Sequence, residues 1–168
     1  MRELFVVVSG APGSGKSTIA PPLARALDLP LLEKDVIKEA LGDVLGADTL
    51  DDSKRLGAAT MAVLLALARA NVSGVLESTW IPELARVQLG DLPSRVVEIF
   101  VDVPVDEAMA RYRARAGTRH PVHFDHQRLA RADFVTRGTP IGGGWPVIRV
   151  DGTREVDIDA LVRQILSA

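Results

Sequence analysis

The chain has 168 residues, of which 47% are hydrophobic and 25% charged, a balance that excludes an intrinsically disordered protein. The absence of cysteine excludes disulfide scaffolds, cysteine zinc sites and thiol catalysis, and the net charge of −2 gives no footprint of a general nucleic-acid binder. The chain length fits one compact domain, so we expect a single domain over residues 1–168. The apolar N-terminal run is too short to span a bilayer, so we expect a cytoplasmic setting without a membrane segment.

The first half of the chain alternates short apolar runs with longer periodic stretches, which is typical of repeated strand–helix units. Residues 4–8 form a continuous apolar run and predict a strand covered on both faces. A helix over 16–27, a brief strand at 31–32 and a helix over 35–44 follow. The stretch 52–70 carries apolar residues at helical spacing and predicts an amphipathic helix.

The second half continues the same alternation. Its predicted elements are strands at 74–77 and 96–103, a helix from 104 to 115, a short helix near 127–134, a glycine-rich loop over 136–146, a strand at 147–151 and a final helix. Together these elements predict a three-layer α/β domain with five mostly parallel strands.

A glycine-rich turn joins the first strand to the first helix. Its residues Gly10-Ala-Pro-Gly-Ser-Gly-Lys16-Ser17 match the phosphate-loop (Walker A) pattern at every defined position. Glycines let successive N–H groups point inward, and the helix N-terminus adds partial positive charge. Lys16 would hold the β- and γ-phosphates, and the Ser17 hydroxyl would ligate Mg²⁺.

The alternative for this turn is a structural loop without a ligand, which a complete motif in its required setting argues against. No Asn-Lys-x-Asp segment for reading guanine is present, so ATP is favoured over GTP. The predicted nucleotide contacts are Gly10, Ala11, Pro12, Gly13, Ser14, Gly15, Lys16, Ser17 and Thr18.

Asp35 follows the second predicted strand. The carboxyl ends of parallel strands line the ligand crevice, so this carboxylate should face the γ-phosphate. There it can accept the proton of an acceptor hydroxyl and orient its oxygen for in-line attack. The alternative, which can coexist with catalysis, is that Asp35 caps the next helix.

Residues 111–137 form a basic segment with only two acids. Arginines on a closing lid can stabilise the charge of a transferring phosphoryl group and exclude water. The alternative is an exposed basic helix without a catalytic role. The arginines are Arg111, Arg113, Arg115, Arg119, Arg128, Arg131 and Arg137, of which Arg128 and Arg131 are expected to be solvated.

The phosphate loop, the segment Leu31–Lys38 and this arginine-rich stretch together resemble the small P-loop kinases with an AAA-type ATP-binding domain. The resemblance covers nearly the whole chain and is greatest to zeta toxin, chloramphenicol phosphotransferase and polynucleotide 5′-kinase domains. Gluconate and shikimate kinases resemble it more distantly. The family implies a sheet of order 2-3-1-4-5, a small lid, and an aspartate base, a role that we carry onto Asp35.

The resemblance also implies roles for residues outside the first two motifs. Arg111 and Arg115 have the usual lid spacing, so Arg111 would pack against adenine and Arg115 would contact the phosphates. Arg119 is a second phosphate or substrate candidate. Gly152 and Thr153 follow the fifth strand, where relatives wrap backbone around adenine.

Three further residues are candidates for the acceptor side. Lys38 stands where relatives often carry a substrate-side arginine, although a solvated helix face is an equal alternative. Glu77 stands where they often carry an aspartate. Its three alternative roles are to hold a Mg²⁺-bound water, to touch the substrate or to make a structural hydrogen bond. Trp80 is either a stacking platform for the acceptor or a cover for the core edge.

His120, His123 and His126 match no known zinc spacing, so substrate contact or local structure is favoured over a metal site. The sequence therefore predicts a monomeric or homodimeric phosphotransferase that uses ATP and Mg²⁺ to phosphorylate a hydroxyl of a small molecule. The low share of aromatic residues, 4%, argues against a nucleic-acid partner. The alternatives are a polynucleotide 5′-hydroxyl kinase and a nucleotide-dependent regulatory module.

Overall fold

The structure, a computed structural model, describes residues 3–130 and 138–168. Its strands are β1 Leu4–Ser9, β2 Leu31–Glu33, β3 Gly74–Glu77, β4 Arg95–Asp102 and β5 Val147–Asp151. Its helices are α1 Lys16–Leu27, α2 Lys34–Leu45, α3 Leu50–Arg69, α4 Pro82–Gly90, α5 Val105–Arg115, α6 Asp125–Ala130 and α7 Ile158–Ser167, with a 3₁₀ turn at Pro121–His123.

These strands form one sheet of order β2-β3-β1-β4-β5 in which every neighbouring pair is parallel. The predicted α/β class and the strand order 2-3-1-4-5 are therefore confirmed. Because all strands run in one direction, their carboxyl ends meet at one edge, where β1, β2 and β3 deliver the phosphate loop, Asp35 and Glu77.

The alternation of side chains along β1 divides the core into two layers. Val6 and Val8 pack against α1 and α7, whereas Phe5 and Val7 pack against α3 and α4 on the opposite face. All six residues of β1 are buried, which explains why the strand appears in the sequence as an uninterrupted apolar run.

The sequence pattern did not predict α4, a nine-residue helix between β3 and β4. Only Ala85 and Leu89 of this helix are buried, whereas Leu84 and Val87 are exposed, so its residues show no clear apolar stripe. No helix in the described parts of the chain combines the length and apolar character that a membrane span requires.

The described part of the predicted glycine-rich loop, residues 138–146, contains neither helix nor strand. The buried carboxylate of Glu98, in β4, anchors it by accepting hydrogen bonds from the Ile141 and Gly142 N–H groups and from Trp145 Nε1. Trp145 therefore helps to hold this loop on the sheet.

Candidate active site

The phosphate loop adopts a compact turn between β1 and α1. The Ser14 N–H donates to Ala11 O at 3.1 Å, and the Thr18 N–H donates to Gly15 O at 3.0 Å. Gly13 has φ +84°, and a Cβ there would lie 2.2 Å from Ala108 O in α5, so only glycine fits this position. The loop is thus held against α5, one of the elements of the predicted lid.

Lys16 is buried at the start of α1, and its Nζ donates to Gly10 O at 3.0 Å and Ala11 O at 2.8 Å. Burial lowers the pKa of this amine to about 8, although the carboxylates of Glu77 and Asp35 oppose the shift. Both hydrogen-bond acceptors of Lys16 are neutral backbone carbonyls, so they do not neutralise the charge of the amine. An anionic phosphate beside the loop would provide the missing counter-charge.

A cavity of about 190 Å³ adjoins the loop and is lined by residues from the loop, β3, α2 and α5. It brings together the predicted site residues Lys16, Ser17, Asp35, Glu77, Arg115 and Arg119. These positions are spread over a hundred residues of sequence, and the parallel sheet places them around one space.

Glu77 ends β3 directly beside β1, in register with Val8, and its side chain is buried. Burial raises the pKa of this carboxyl to about 7, and the positive charge of Lys16 opposes the rise. The Ser17 hydroxyl lines the same cavity. A hydroxyl and a carboxylate are oxygen ligands of the kind that Mg²⁺ uses, directly or through water, so these residues fit a magnesium ion.

We predict that Glu77→Gln stabilises the ligand-free protein at pH 8 but not at pH 4.5. A carboxyl whose folded-state pKa is raised loses stability as pH rises through about 7, because the charged form is disfavoured in the folded state. Removing the charge should raise the free energy of unfolding by about 1 to 3 kcal/mol at pH 8, at roughly 1.4 kcal/mol per pKa unit. Urea unfolding at both pH values measures this difference.

The exposed residue Glu83, in α4, provides the control, because Glu83→Gln should change stability equally at both pH values. A loss of stability in Glu77→Gln at pH 8 would instead show that the charged carboxylate makes a structural contact in the folded protein.

Asp35 lies in the first turn of α2, where Glu33 is the N-cap residue, so the capping alternative for Asp35 is wrong. Its Oδ2 accepts a hydrogen bond from Arg119 Nη2 at 2.6 Å, and its Oδ1 lies 3.4 Å from Lys34 Nζ. Burial by itself would raise the pKa of this carboxyl, but the charges of Lys34, His123 and Arg119 hold it at about 2. Asp35 is therefore ionised at neutral pH.

Arg119 joins Asp35 to a second carboxylate. Its Nη1 donates to both oxygens of the buried Asp125, at 3.0 and 3.1 Å, and Tyr112 Oη also donates to that carboxylate. Asp125 and Tyr112 were missed as site residues in the sequence. The available signal was the rarity of acids in the basic segment, where Asp125 is one of only two.

Arg115 lies between the two main cavities, and its guanidinium carbon is 5.5 Å from the centre of the Tyr112 ring. Its Nε is buried and has no hydrogen-bond partner among the described residues. Such an orphaned donor is costly unless a ligand satisfies it, which fits the predicted contact with phosphate.

Arg111 lies on another side of α5, where its Nη1 donates to Gly152 O at 2.8 Å and its Nη2 pairs with Glu107. A Cβ on Gly152 would lie 2.6 Å from Ser14 O, so this glycine contacts the phosphate loop closely. The N–H and hydroxyl of Thr153 both bind the Asp151 carboxylate within a local turn. Arg111 and Gly152 are thus neighbours beside the phosphate loop.

A larger open cavity of about 960 Å³ extends from Asp35 along α3. Lys38 is almost fully buried in its wall, and its Nζ donates to Ser53 Oγ at 2.7 Å. The solvated alternative for Lys38 is therefore wrong. Burial, together with the neighbouring charges of Lys34 and Arg128, lowers the pKa of Lys38 to about 7.

Arg128 also lines this cavity, so its predicted solvated position is wrong. Its Nε donates to His123 O at 2.8 Å, and its Nη2 lies 3.4 Å from Ser53 Oγ. No sequence pattern indicated Ser53, because a serine inside an amphipathic helix has no distinguishing feature. It joins the two cations only because α2, α3 and α6 converge.

Trp80 is buried in the core layer that contains Phe5 and Val7, and its Nε1 donates to Val8 O at 3.2 Å. Most of the Trp80 side chain therefore covers the edge of the core, as one of its two predicted roles requires, and the remainder lines the larger cavity. Two of the three histidines pair with acidic residues of α2: His120 with Asp43 at 3.0 Å and His123 with Glu39 at 2.7 Å. Within the described residues no group of three metal-ligating side chains is present.

The predicted lid, residues 111–137, includes the last five residues of α5, the 3₁₀ turn and α6. Its last part, with Arg131 and Arg137, lies outside the described residues. The described part contributes arginines to both cavities, so the alternative of an exposed basic helix is wrong for Arg115, Arg119 and Arg128.

Comparison with known proteins identifies the class. Residues 5–137 match the AAA domain family. A gluconokinase of Gluconobacter oxydans (strain 621H) is 30% identical, over 94% of this chain and 88% of the relative. A shikimate kinase of Mycobacterium leprae (strain TN) is 27% identical, over 96% of this chain and 80% of the relative. The crystal structure of a putative kinase from Chloroflexus aurantiacus J-10-fl is 27% identical with a TM-score of 0.82, covering 98% of this chain and 97% of that one.

The fold is that of the P-loop kinases. The chain belongs to the AAA domain family, and it is a small-molecule kinase that transfers a phosphoryl group from ATP to a hydroxyl acceptor. The relatives found are gluconokinase, shikimate kinase and cytidylate kinases. The more specific placement with zeta toxin, chloramphenicol phosphotransferase and polynucleotide 5′-kinase stays a prediction.

Proposed function

We propose that this kinase requires Mg²⁺ and that Lys16, Ser17, Asp35, Arg115 and Arg119 carry its chemistry. The observation that carries the proposal is that all five side chains line one cavity beside the phosphate loop. The loop amides and Lys16 would hold the β- and γ-phosphates. Ser17 would ligate the metal ion, and Glu77 would bind one of its waters.

The acceptor would enter from the larger cavity, which Asp35 also lines. Its hydroxyl oxygen would form a bond to the γ-phosphorus while the bond to the β,γ-bridging oxygen breaks, and Asp35 would take the hydroxyl proton. A carboxylate whose pKa is held at about 2 is a weak base. We therefore infer that Arg119 leaves Asp35 for the phosphates before transfer, which would remove one of the charges that lower the pKa of Asp35, those of Lys34 and His123 being the others.

At the other end of the nucleotide, we propose that Arg111, Gly152 and Thr153 contact the adenine. Arg111 is hydrogen-bonded to Gly152, which contacts the phosphate loop, so these residues form a continuous surface from the loop outward. Residues 1–168 would act as one domain, with the lid supplying Arg115 to the transferring group.

The acceptor that the larger cavity favours is a hydroxylated acid. Arg115 and Arg119 line both cavities and would be engaged by phosphate, whereas Lys38 and Arg128 line the larger cavity alone. Among the described residues neither Lys38 nor Arg128 has a carboxylate partner. The gluconokinase and shikimate kinase relatives are named for substrates that are themselves hydroxylated acids, which supports the proposal.

We predict that Lys38→Gln raises KM for an acidic acceptor by about 10- to 100-fold, because a hydrogen bond to a charged group contributes roughly 1.5 to 3 kcal/mol. KM for ATP should change little, because Lys38 does not line the nucleotide side. The matched control is Lys54→Gln, since Lys54 lines the same cavity but is half-exposed and pairs with Asp51. An equal change of the acceptor KM in both variants would show that Lys38 has no specific role in acceptor recognition.

The proposed function is tested by incubating the protein with ATP, Mg²⁺ and a metabolite extract, followed by mass spectrometry. We expect one acidic metabolite to gain the mass of a phosphoryl group, and we expect this gain to disappear when Mg²⁺ is chelated. Slow ATP hydrolysis without a phosphorylated metabolite would support the regulatory-module alternative. A 5′-phosphorylated oligonucleotide would support the polynucleotide kinase alternative.

A further inference from the structure

The larger cavity continues well beyond the groups needed for phosphoryl transfer. One face of α3 lines it over its whole length, with Ser53 near Asp35 and Arg69 at the far end. At a rise of about 1.5 Å per residue this face is roughly 24 Å long. The cavity volume of about 960 Å³ lies near the upper end of the range for drug-sized ligands, about 300 to 1,000 Å³.

The two halves of this cavity differ in chemistry. The half beside Asp35 is cationic, with Lys38 and Arg128 joined through Ser53. The far half lies between α3 and α4 and is mostly apolar. Its apolar lining residues are Gly57, Ala58, Met61, Ala62, Leu65, Ile81 and Leu84, and its polar ones are Gln88 and, at the far end, Arg69.

The apolar half is open because three of its α3 residues, Gly57, Ala58 and Ala62, have small side chains. A Cβ added to Gly57 would meet no atom within 4 Å, and Ala62 is exposed. On the facing wall, Ile81 is 42% exposed and Leu84 is 56% exposed, although both are large apolar residues. An apolar ligand seated here would remove both side chains from water, which is favourable in proportion to the area buried.

We propose that the acceptor is an elongated amphipathic acid, with its hydroxyl and acidic group at the Lys38 end and an apolar body lying along α3 toward Arg69. This inference rests on the proposed function, because it assumes that the acceptor binds in the larger cavity. It is supported by the continuity of the apolar half with the cationic half and by the charge of Lys38 and Arg128, which selects an acid. Gluconate and shikimate are too short and too polar to use the far half.

The test measures binding of straight-chain carboxylates, from butanoate to octanoate, by isothermal titration calorimetry. Each fully buried methylene contributes about fourfold in affinity, so octanoate should bind at least about tenfold more tightly than butanoate, with one site per chain. Gly57→Phe, which places a ring in the open space, should abolish this dependence on chain length and retain butanoate binding. Gly57→Ala is the matched control and should preserve the dependence.

Circular dichroism verifies that each variant folds, and Ala62→Leu provides a second obstruction of the apolar half if Gly57→Phe does not fold. Lys38→Gln should weaken all carboxylates by a similar factor. An equal dependence on chain length in wild type and in the folded obstructed variant would overturn the proposal, as would equal affinities of butanoate and octanoate for wild type. Phosphorylation that depends on Asp35, measured separately, would in those cases leave the proposed function intact.

Discussion

Asp35→Asn is expected to lower kcat by about 10²- to 10⁴-fold, the contribution typical of a positioned general base. ATP affinity should change little, because Asp35, although it lines both cavities, makes no contact that holds the nucleotide in the proposed arrangement. Asparagine keeps the shape of the side chain and removes its ability to accept a proton. Steady-state kinetics and ATP titration by calorimetry measure the two quantities separately.

The matched control for this substitution is Asp43→Asn, on the same helix, since Asp43 is exposed and pairs with His120. We expect Asp43→Asn to leave kcat unchanged. Asp35→Asn also removes one of the two carboxylates that hold Arg119, so Asp125→Asn is the second comparison. An equal loss of kcat in both variants would indicate that Asp35 acts by positioning Arg119, and wild-type turnover in Asp35→Asn would exclude it from the mechanism.

Lys16→Met is expected to lower kcat/KM for ATP by about 10²- to 10³-fold, while the free energy of unfolding of the ligand-free protein stays the same or increases. The loss arises because a buried full charge beside the transferring phosphate stabilises its developing negative charge. Stability should not fall, because burial lowers the pKa of Lys16 to about 8, which means that the folded state disfavours its charge.

Opposite effects on activity and stability distinguish this role from a structural one. A lysine whose main function was to hold the loop through Gly10 O and Ala11 O would lose stability and activity together. Urea unfolding without ligand and ATP titration with Mg²⁺ provide the two readouts. Lys54→Met serves as the control, because Lys54 is half-exposed and should affect neither quantity strongly.

Phosphate binding could be predicted from the sequence because its determinants are contiguous. A glycine-rich turn, a lysine and a hydroxyl residue between a strand and a helix specify their own local geometry, and the structure shows that turn at Gly10–Gly15. The alternation of strands and helices was predictable for the same reason, except for α4, which buries only two residues. The strand order came from the family resemblance, since periodicity carries no information on which strands are neighbours.

The acceptor side depended on contacts that no local pattern contains. Arg119 binds Asp35 across 84 positions of the chain, and Ser53 lies 75 positions from the Arg128 that approaches it. Lys38 and Arg128 both appear in the sequence as ordinary charged residues on amphipathic helices. Their burial follows from how α2, α3 and α6 pack together.

The phosphate loop was therefore predictable without coordinates, because it is a local structure whose residue types follow from the geometry of bound phosphate, and the kinase class followed from that loop, Asp35 and the family resemblance together. The charges that face the acceptor and the length of its cavity emerged only in the folded chain, because solvation and ion pairing depend on distances between elements remote in sequence. The parallel sheet and the helices packed on it set those distances.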